Sequence, residues 1–164
     1  MKYQANRNYN SNDIVMTPVE LAERLVKHFQ PKGKGLEPCR GTGNIYRFLD
    51  DADWCEITEG KDFFDYHKKV DYIFTNPPWS KIRPFLQKSM EIADDIYFLF
   101  TINHLWTKAR LRDVREHGFG IVEICLFDTP KTFPQSGFQC GMVHIKRGYK
   151  NNFVRVTKLK QRNG

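Results

Sequence analysis

Short apolar runs alternate with helix-period segments along most of this chain, and that alternation constrains the fold more than any other feature. "GLEPC" (35–39), "DWCEI" (53–57), "VDYIFT" (70–75), "DIYFLFTI" (95–102), "GIVEICLF" (120–127) and "GMVHIKRG" (141–148) read as strands. "IRPFLQKSMEIA" (82–93) and "WTKARLRDVREHG" (106–118) read as helices, residues 45–51 as a brief helix and 62–68 as a helical turn. A helix ahead of the first strand opens at Thr17-Pro18-Val19-Glu20. A threonine cap, a proline at the first helical position and a glutamate three residues after the cap form a capping box. Val19, Ala22, Leu25, Val26 and Phe29 then recur at helical spacing up to Pro31. Strands that alternate with helices imply a parallel sheet covered on both faces. The last two strands have no helix between them, so one is expected to run antiparallel at an edge. The tail "FVRVTKLKQRNG" reads as an extra edge strand or a loose arm.

With 164 residues, no repeat and no linker, the chain is expected to form a single domain over 1–164. Residues 1–13 are a polar N-terminal segment and 149–164 a basic C-terminal tail. The four cysteines (Cys39, Cys55, Cys125 and Cys140) are scattered without a CxxC pair, which reads as reduced core thiols in a cytoplasmic protein. No run approaches the ~20 apolar residues of a membrane span, and the N-terminus lacks the apolar core of a signal peptide. His104, His117 and His144 stand on different elements without ligand spacing, so no metal is expected. The net charge of +7 favours a polyanionic partner.

The strand "VDYIFT" runs directly into Asn76, Pro77, Pro78 and Trp79. Proline fixes its own φ and forces the residue before it into an extended conformation, so the strand ends on a rigid tip. Asn76 offers a side-chain oxygen and Pro77 a carbonyl of fixed direction. Two convergent acceptors fit the two N–H bonds of a planar amine, and Trp79 adds a stacking face. Upstream, "LEPCRGTGN" places glycines between a strand and a helix, where backbone can approach a ligand closely. The turn lacks the third glycine of dinucleotide loops and the Gly-Lys-Ser/Thr of phosphate loops. With Glu37 at the strand end, it suits a ligand with a cationic head. Glu56 ends the second strand, where an acid can take both hydroxyls of a ribose.

"TPVE", "EPCRGTGN", "CEI", "KDFF" and "TNPPW" occur in that order across roughly residues 14–148. This resembles the class I S-adenosylmethionine-dependent methyltransferases, specifically the amino-methyltransferases of adenine N6 that carry an NPPW motif. The resemblance implies a Rossmann-like α/β fold, a mostly parallel seven-stranded sheet with an antiparallel edge strand and helices on both faces. It implies S-adenosyl-L-methionine as cofactor. Thr17, Pro18, Glu37, Gly41 and Gly43 match motifs around the methionine moiety. Glu56 matches the ribose-binding acid and Ile57 its adenine-packing neighbour. Asp62 and Phe63 match the pair that contacts the cofactor adenine, although the spacing from Glu56 is tight. Asn76, Pro77, Pro78 and Trp79 match the catalytic tetrad. "TFPQSGF" lies where adenine enzymes hold an aromatic against the target base, with Phe133 the first choice and Phe138 the fallback.

Such an enzyme is expected to methylate adenine N6 in DNA, ahead of RNA, with short or low sequence specificity. Lys81, Arg83, Lys108, Arg110, Arg112 and Lys131 are expected to follow the nucleic-acid backbone. Relatives with this motif order usually carry a target-recognition domain after the last core strand. About sixteen residues follow Gly148 here, a compact form similar to phage or mobile-element enzymes. Two other readings stand beside it: a protein-glutamine methyltransferase and a non-catalytic cofactor-binding protein. The sequence carries no statement about oligomeric state.

Overall fold

The computed structural model describes residues 15–150 and 152–160. Seven strands form one sheet: β1 (Gly35–Glu37), β2 (Ala52–Trp54), β3 (Val70–Thr75), β4 (Ala93–Thr101), β5 (Phe119–Phe127), β6 (Cys140–Arg147) and β7 (Arg155–Lys158). Their spatial order is β2-β1-β3-β4-β6-β5-β7. Every neighbouring pair is parallel except the two made by β6. Among the described residues three α-helices accompany it: α1 (Val19–Phe29), α2 (Ile82–Ile92) and α3 (Lys108–Glu116).

The faces are assigned by register and by crossover handedness. Phe74, Tyr97 and His144 are cross-strand neighbours, and the ring of Phe29 on α1 lies 6.4, 5.2 and 6.2 Å from theirs. Helix α1 therefore covers this face. Both β3–α2–β4 and β4–α3–β5 step in the same direction along the sheet, and right-handed crossovers put α2 and α3 together on the other face. Arg83 of α2 donates to Asp113 of α3 at 2.8 Å and joins the two helices. Between the layers Leu36, Ile73, Phe74, Ile96, Phe98, Leu99 and Val143 have no measurable exposure.

The mostly parallel, doubly covered sheet is the one expected, but the reversed strand is not at its edge. Strand β6 lies between β4 and β5, paired with β4 from Asp95–Lys146 to Thr101–Cys140. Burial explains the position. Met142, Val143 and Ile145 are 1% exposed or less, and a strand buried on both faces belongs inside a sheet. The tail supplies the edge instead, as β7 running parallel to β5.

The capping box also fails to form. Helix α1 begins at Val19 with Pro18 in the cap position and no side-chain cap, and its first backbone bond runs from Ala22 N–H to Pro18 O at 3.0 Å. Thr17 lies one residue too early to cap, and its hydroxyl is engaged elsewhere.

Candidate active site

Strands β1 and β3 are neighbours, and their carboxyl ends bring Glu37 and Thr75 together. Thr75 Oγ1 donates to Glu37 Oε1, and the Cys39 N–H donates to the same oxygen at 2.9 Å. Glu37 is 1% exposed. Burial, with a smaller push from Glu56, raises its pKa to about 8 against the pull of those two hydrogen bonds. Neither partner is cationic. Among the described residues the carboxyl is thus buried at a strand end with hydrogen bonds from neutral donors.

The loop after Glu37 turns on Gly41 (φ +55°) and Gly43 (φ +87°), both in the left-handed region that glycine enters without strain. A Cβ on Gly41 would meet Met16 Sδ at 2.9 Å. Gly41 N–H donates to Glu56 Oε1 at 2.9 Å. The other oxygen, Oε2, accepts from Thr58 N–H at 2.9 Å and from Thr58 Oγ1 at 2.7 Å. Glu56 thus fixes the glycine loop and caps the 57–59 turn that Ile57 opens. Oε1 retains a lone pair for a further donor. Asp62 accepts from Phe64 N–H at 2.9 Å and caps the 63–65 turn. Phe63 is buried against Phe85, ring centroids 5.2 Å apart. Arg40 and Lys61 stack on the ring of Trp54 at 3.7 and 3.8 Å, and Arg40 also pairs with Glu59.

At the tip of β3, Asn76 Nδ2 donates to Val15 O at 3.1 Å and to Thr17 Oγ1 at 3.2 Å. Trp79 Nε1–H donates to Asn76 Oδ1 at 3.1 Å and to Leu99 O at 3.2 Å. Turning the amide over would set oxygen against the Val15 carbonyl and nitrogen against the Trp79 N–H, so the network allows one orientation. Thr17 O accepts from Asn44 Nδ2 at 2.8 Å. The segment before α1 thereby ties the glycine loop to the β3 tip. Pro77, Pro78 and Trp79 are all buried.

Trp79 and Phe133 meet. Their centroids are 5.8 Å apart with planes at 77°, and Phe133 is 3% exposed. An edge-to-face contact leaves no gap for a third ring. Phe133 N–H donates to Pro130 O at 3.0 Å, while Phe138 on the same loop is 56% exposed. His104 lies beside Trp79, centroids 6.3 Å apart, and burial with the nearby Arg110 lowers its pKa.

The six cations separate on inspection. Lys108, Arg112 and Lys131 are exposed. Arg83 is committed to Asp113, and the contact holds the Asp113 carboxyl below its usual range. Arg110 is half-buried, with Nη1 donating to Thr107 Oγ1 at 3.3 Å. Lys81 closes the 79–81 turn and is half-buried. Of the other histidines, Nδ1 of His117 contacts Asp113 O at 2.7 Å and Nε2 of His144 contacts Asp95 at 2.7 Å. The polar N-terminal segment, residues 1–13, lies outside the described residues.

Thr75, Met16 and Asn44 join this site although sequence reasoning passed over them. Thr75 is the last residue before the tip and Asn44 the last of the glycine turn, so chain position was a usable signal for both. Met16 gave none.

No protein-family model matches the chain, and no curated protein matches it. Solved structures do. A candidate RNA methyltransferase from Pyrococcus horikoshii superposes with a TM-score of 0.63 at 18% identity, over 92% of this chain and 94% of that one. A candidate class I S-adenosylmethionine-dependent methyltransferase from Listeria monocytogenes gives 0.67 at 13%, over 96% and 69%. The modification subunit of a candidate type I restriction enzyme from Vibrio vulnificus gives 0.62 at 11%, over 94% of this chain and 49% of the subunit. The chain therefore has the Rossmann-like fold of class I methyltransferases, and it spans about half of that subunit. Among the described residues no helix is long and apolar enough to cross a membrane.

Proposed function

We propose that the protein is an S-adenosylmethionine-dependent methyltransferase acting on the N6 amine of adenine in nucleic acid, DNA ahead of RNA. The observation that carries this reading is the orientation of Asn76. Its nitrogen is anchored by Val15 O and Thr17 Oγ1, so oxygen is the atom left to receive a substrate N–H. Trp79 uses one lone pair of that oxygen and leaves the other.

The cofactor fits the residues present. Glu37 is a buried acid with no cationic partner among the described residues, suited to an α-ammonium. Gly41 and Gly43 let backbone approach the methionine end, and the spare lone pair on Glu56 suits a ribose hydroxyl. Asp62 and Phe63 are the residues we assign to the cofactor adenine, from their match to the family motif. When bound, the cofactor supplies a methyl already activated by its sulfonium.

The protein's own part is positioning, the largest lever in a two-reactant displacement. The amine of adenine is a weak nucleophile because its lone pair is delocalised into the ring. Acceptance of its two N–H bonds by Asn76 Oδ1 and Pro77 O favours a pyramidal nitrogen with its lone pair free. While the cofactor's S–C bond gave way to the new N–C bond, Asn76 Oδ1 and Pro77 O would hold the N–H bonds of the positively charged nitrogen until one proton passes to solvent. Trp79 gives the base a wall. Phe133 has to move off Trp79 before a base can enter, and stacking returns about 1–3 kcal/mol per base.

RNA is the second reading, supported by the fold shared with a protein described as a candidate RNA methyltransferase. Glutamine methylation and cofactor binding without turnover rank below it. Incubation with labelled cofactor and DNA, RNA or protein, followed by mass spectrometry of the product, decides among them. Label on N6-methyladenine supports the proposal, and label on glutamine or on no polymer overturns it.

A further inference from the structure

On the α1 face of the sheet, away from the β3 tip, three metal-ligating side chains of different chemistry converge. His28 from the last turn of α1 meets Glu123 and Cys125 from β5, with one donor atom of each within 4.8 Å of the others. His28 Nε2 and Glu123 Oε2 are 2.5 Å apart. We propose that these three residues bind one divalent transition-metal ion of the zinc type, which clips the end of α1 to the sheet.

The backbone is arranged for it. Register shifts between Ile121 and Glu123, so Val122 is an inserted residue. Ile121 pairs with Ile145, but Glu123 pairs with His144 on the face that α1 covers. Without the bulge, strand alternation would turn Glu123 and Cys125 to the opposite face, away from His28. Bulges commonly re-aim side chains in this way.

A second layer is present as well. Thr157 of β7 donates to Glu123 Oε2 at 2.7 Å. Metal ligands are usually held by such outer contacts. Cys125 is fully buried, whereas the side chains of His28 and Glu123 are 28% and 12% exposed, which leaves an ion a route from solvent. Imidazole, carboxylate and thiolate at about 2.0–2.3 Å are the donor set of zinc, with water completing a tetrahedron. Around an ion the His28–Glu123 pair would open from 2.5 Å and Cys125 would close from its spacing of at most 4.8 Å, each to about 3.3–3.7 Å, set by those bond lengths and the tetrahedral angle. Arg24 lies near enough to act on Cys125, and as a cation it opposes the ion.

The test uses untagged full-length protein, stripped with a chelator and dialysed against zinc or cobalt(II). One ion per chain is expected, with a thiolate-to-cobalt charge-transfer band in the near-ultraviolet. Cys125→Ser should abolish that band. Because Cys125 is buried and its variant can misfold, His28→Gln on the exposed side is the second arm. It should weaken binding by at least about tenfold, since even outer contacts change metal affinity by about 10–100-fold. Zinc should raise the melting temperature of the parent protein and not that of His28→Gln. Absence of the band, or equal affinity in parent and His28→Gln, overturns the proposal. Neither readout depends on methyl transfer.

Discussion

Thr17 Oγ1 accepts a hydrogen bond from Asn76 Nδ2 at 3.2 Å and, beside Val15 O, holds the nitrogen end of that amide. Thr17 is a positioning residue in this arrangement, whatever it contributes to the cofactor.

Thr17→Val keeps the shape and deletes the acceptor. One hydrogen bond of about 0.5–1.5 kcal/mol corresponds to a loss of about 2- to 12-fold in turnover. Cofactor affinity measured by calorimetry should change little. A larger effect on affinity than on turnover would return Thr17 to the cofactor.

Asn76→Ala should abolish turnover on adenine while cofactor affinity stays near its parent value. Trp79 Nε1–H keeps Leu99 O as an acceptor, so the indole is not stranded and the loss in stability should stay below about 1.5 kcal/mol. Thermal melting beside single-turnover kinetics checks both parts.

Cofactor affinity should depend on pH through Glu37. In the free protein its pKa is raised to about 8, so at pH 6 it is neutral and must lose a proton to pair with an ammonium. Affinity should climb toward pH 8, by nearly tenfold per unit on the acid side. Above that it should fall as the α-amine, ordinarily near 7.7–8.0, deprotonates. The same raised pKa makes the empty fold less stable as pH rises from about 4.5 to 8, because the native state holds the proton longer than the unfolded chain. Glu37→Gln should flatten the acid limb, and calorimetry across pH 6–9 tests it.

Salt dependence separates the cations. Arg112→Ala with Lys131→Ala should flatten the slope of log affinity against log salt by one to two, about one for each phosphate contact. Arg83→Ala should instead destabilise the fold, because it leaves the buried Asp113 without its cationic partner and with only Gln87 Nε2 at 3.3 Å. Equal effects from both variants would mean that Arg83 also reaches the polymer.

Much of this was legible in the sequence. The extent of β3 at 70–75 and the approximate spans of α2, α3 and the long strands follow from periodicity and turn residues. The NPPW tip, the glycine loop and Glu37 also declare themselves, since each needs a rare residue at one point of a strand or turn. The order of β5 and β6 does not. Both are apolar runs, and only the near-complete burial of Met142, Val143 and Ile145 sends β6 inside. The capping box fails for a related reason. Capping is local, but the Thr17 hydroxyl is claimed by Asn76, 59 residues away, and no local pattern announces a distant competitor. The His28, Glu123 and Cys125 cluster depends on a one-residue bulge, and alternation along β5 reads through it.

The edge-to-face contact of Phe133 with Trp79 makes the protein its own first ligand. Aromatic pairs of this kind contribute about 0.5–1.5 kcal/mol beyond burial, so an arriving base competes with a tethered ring and its apparent affinity falls about 2- to 12-fold. The same competition favours expulsion of the product after transfer. In the proposed reaction selectivity would then gain a kinetic component, because a base that stacks poorly or misplaces its amine would be displaced by Phe133 before chemistry begins.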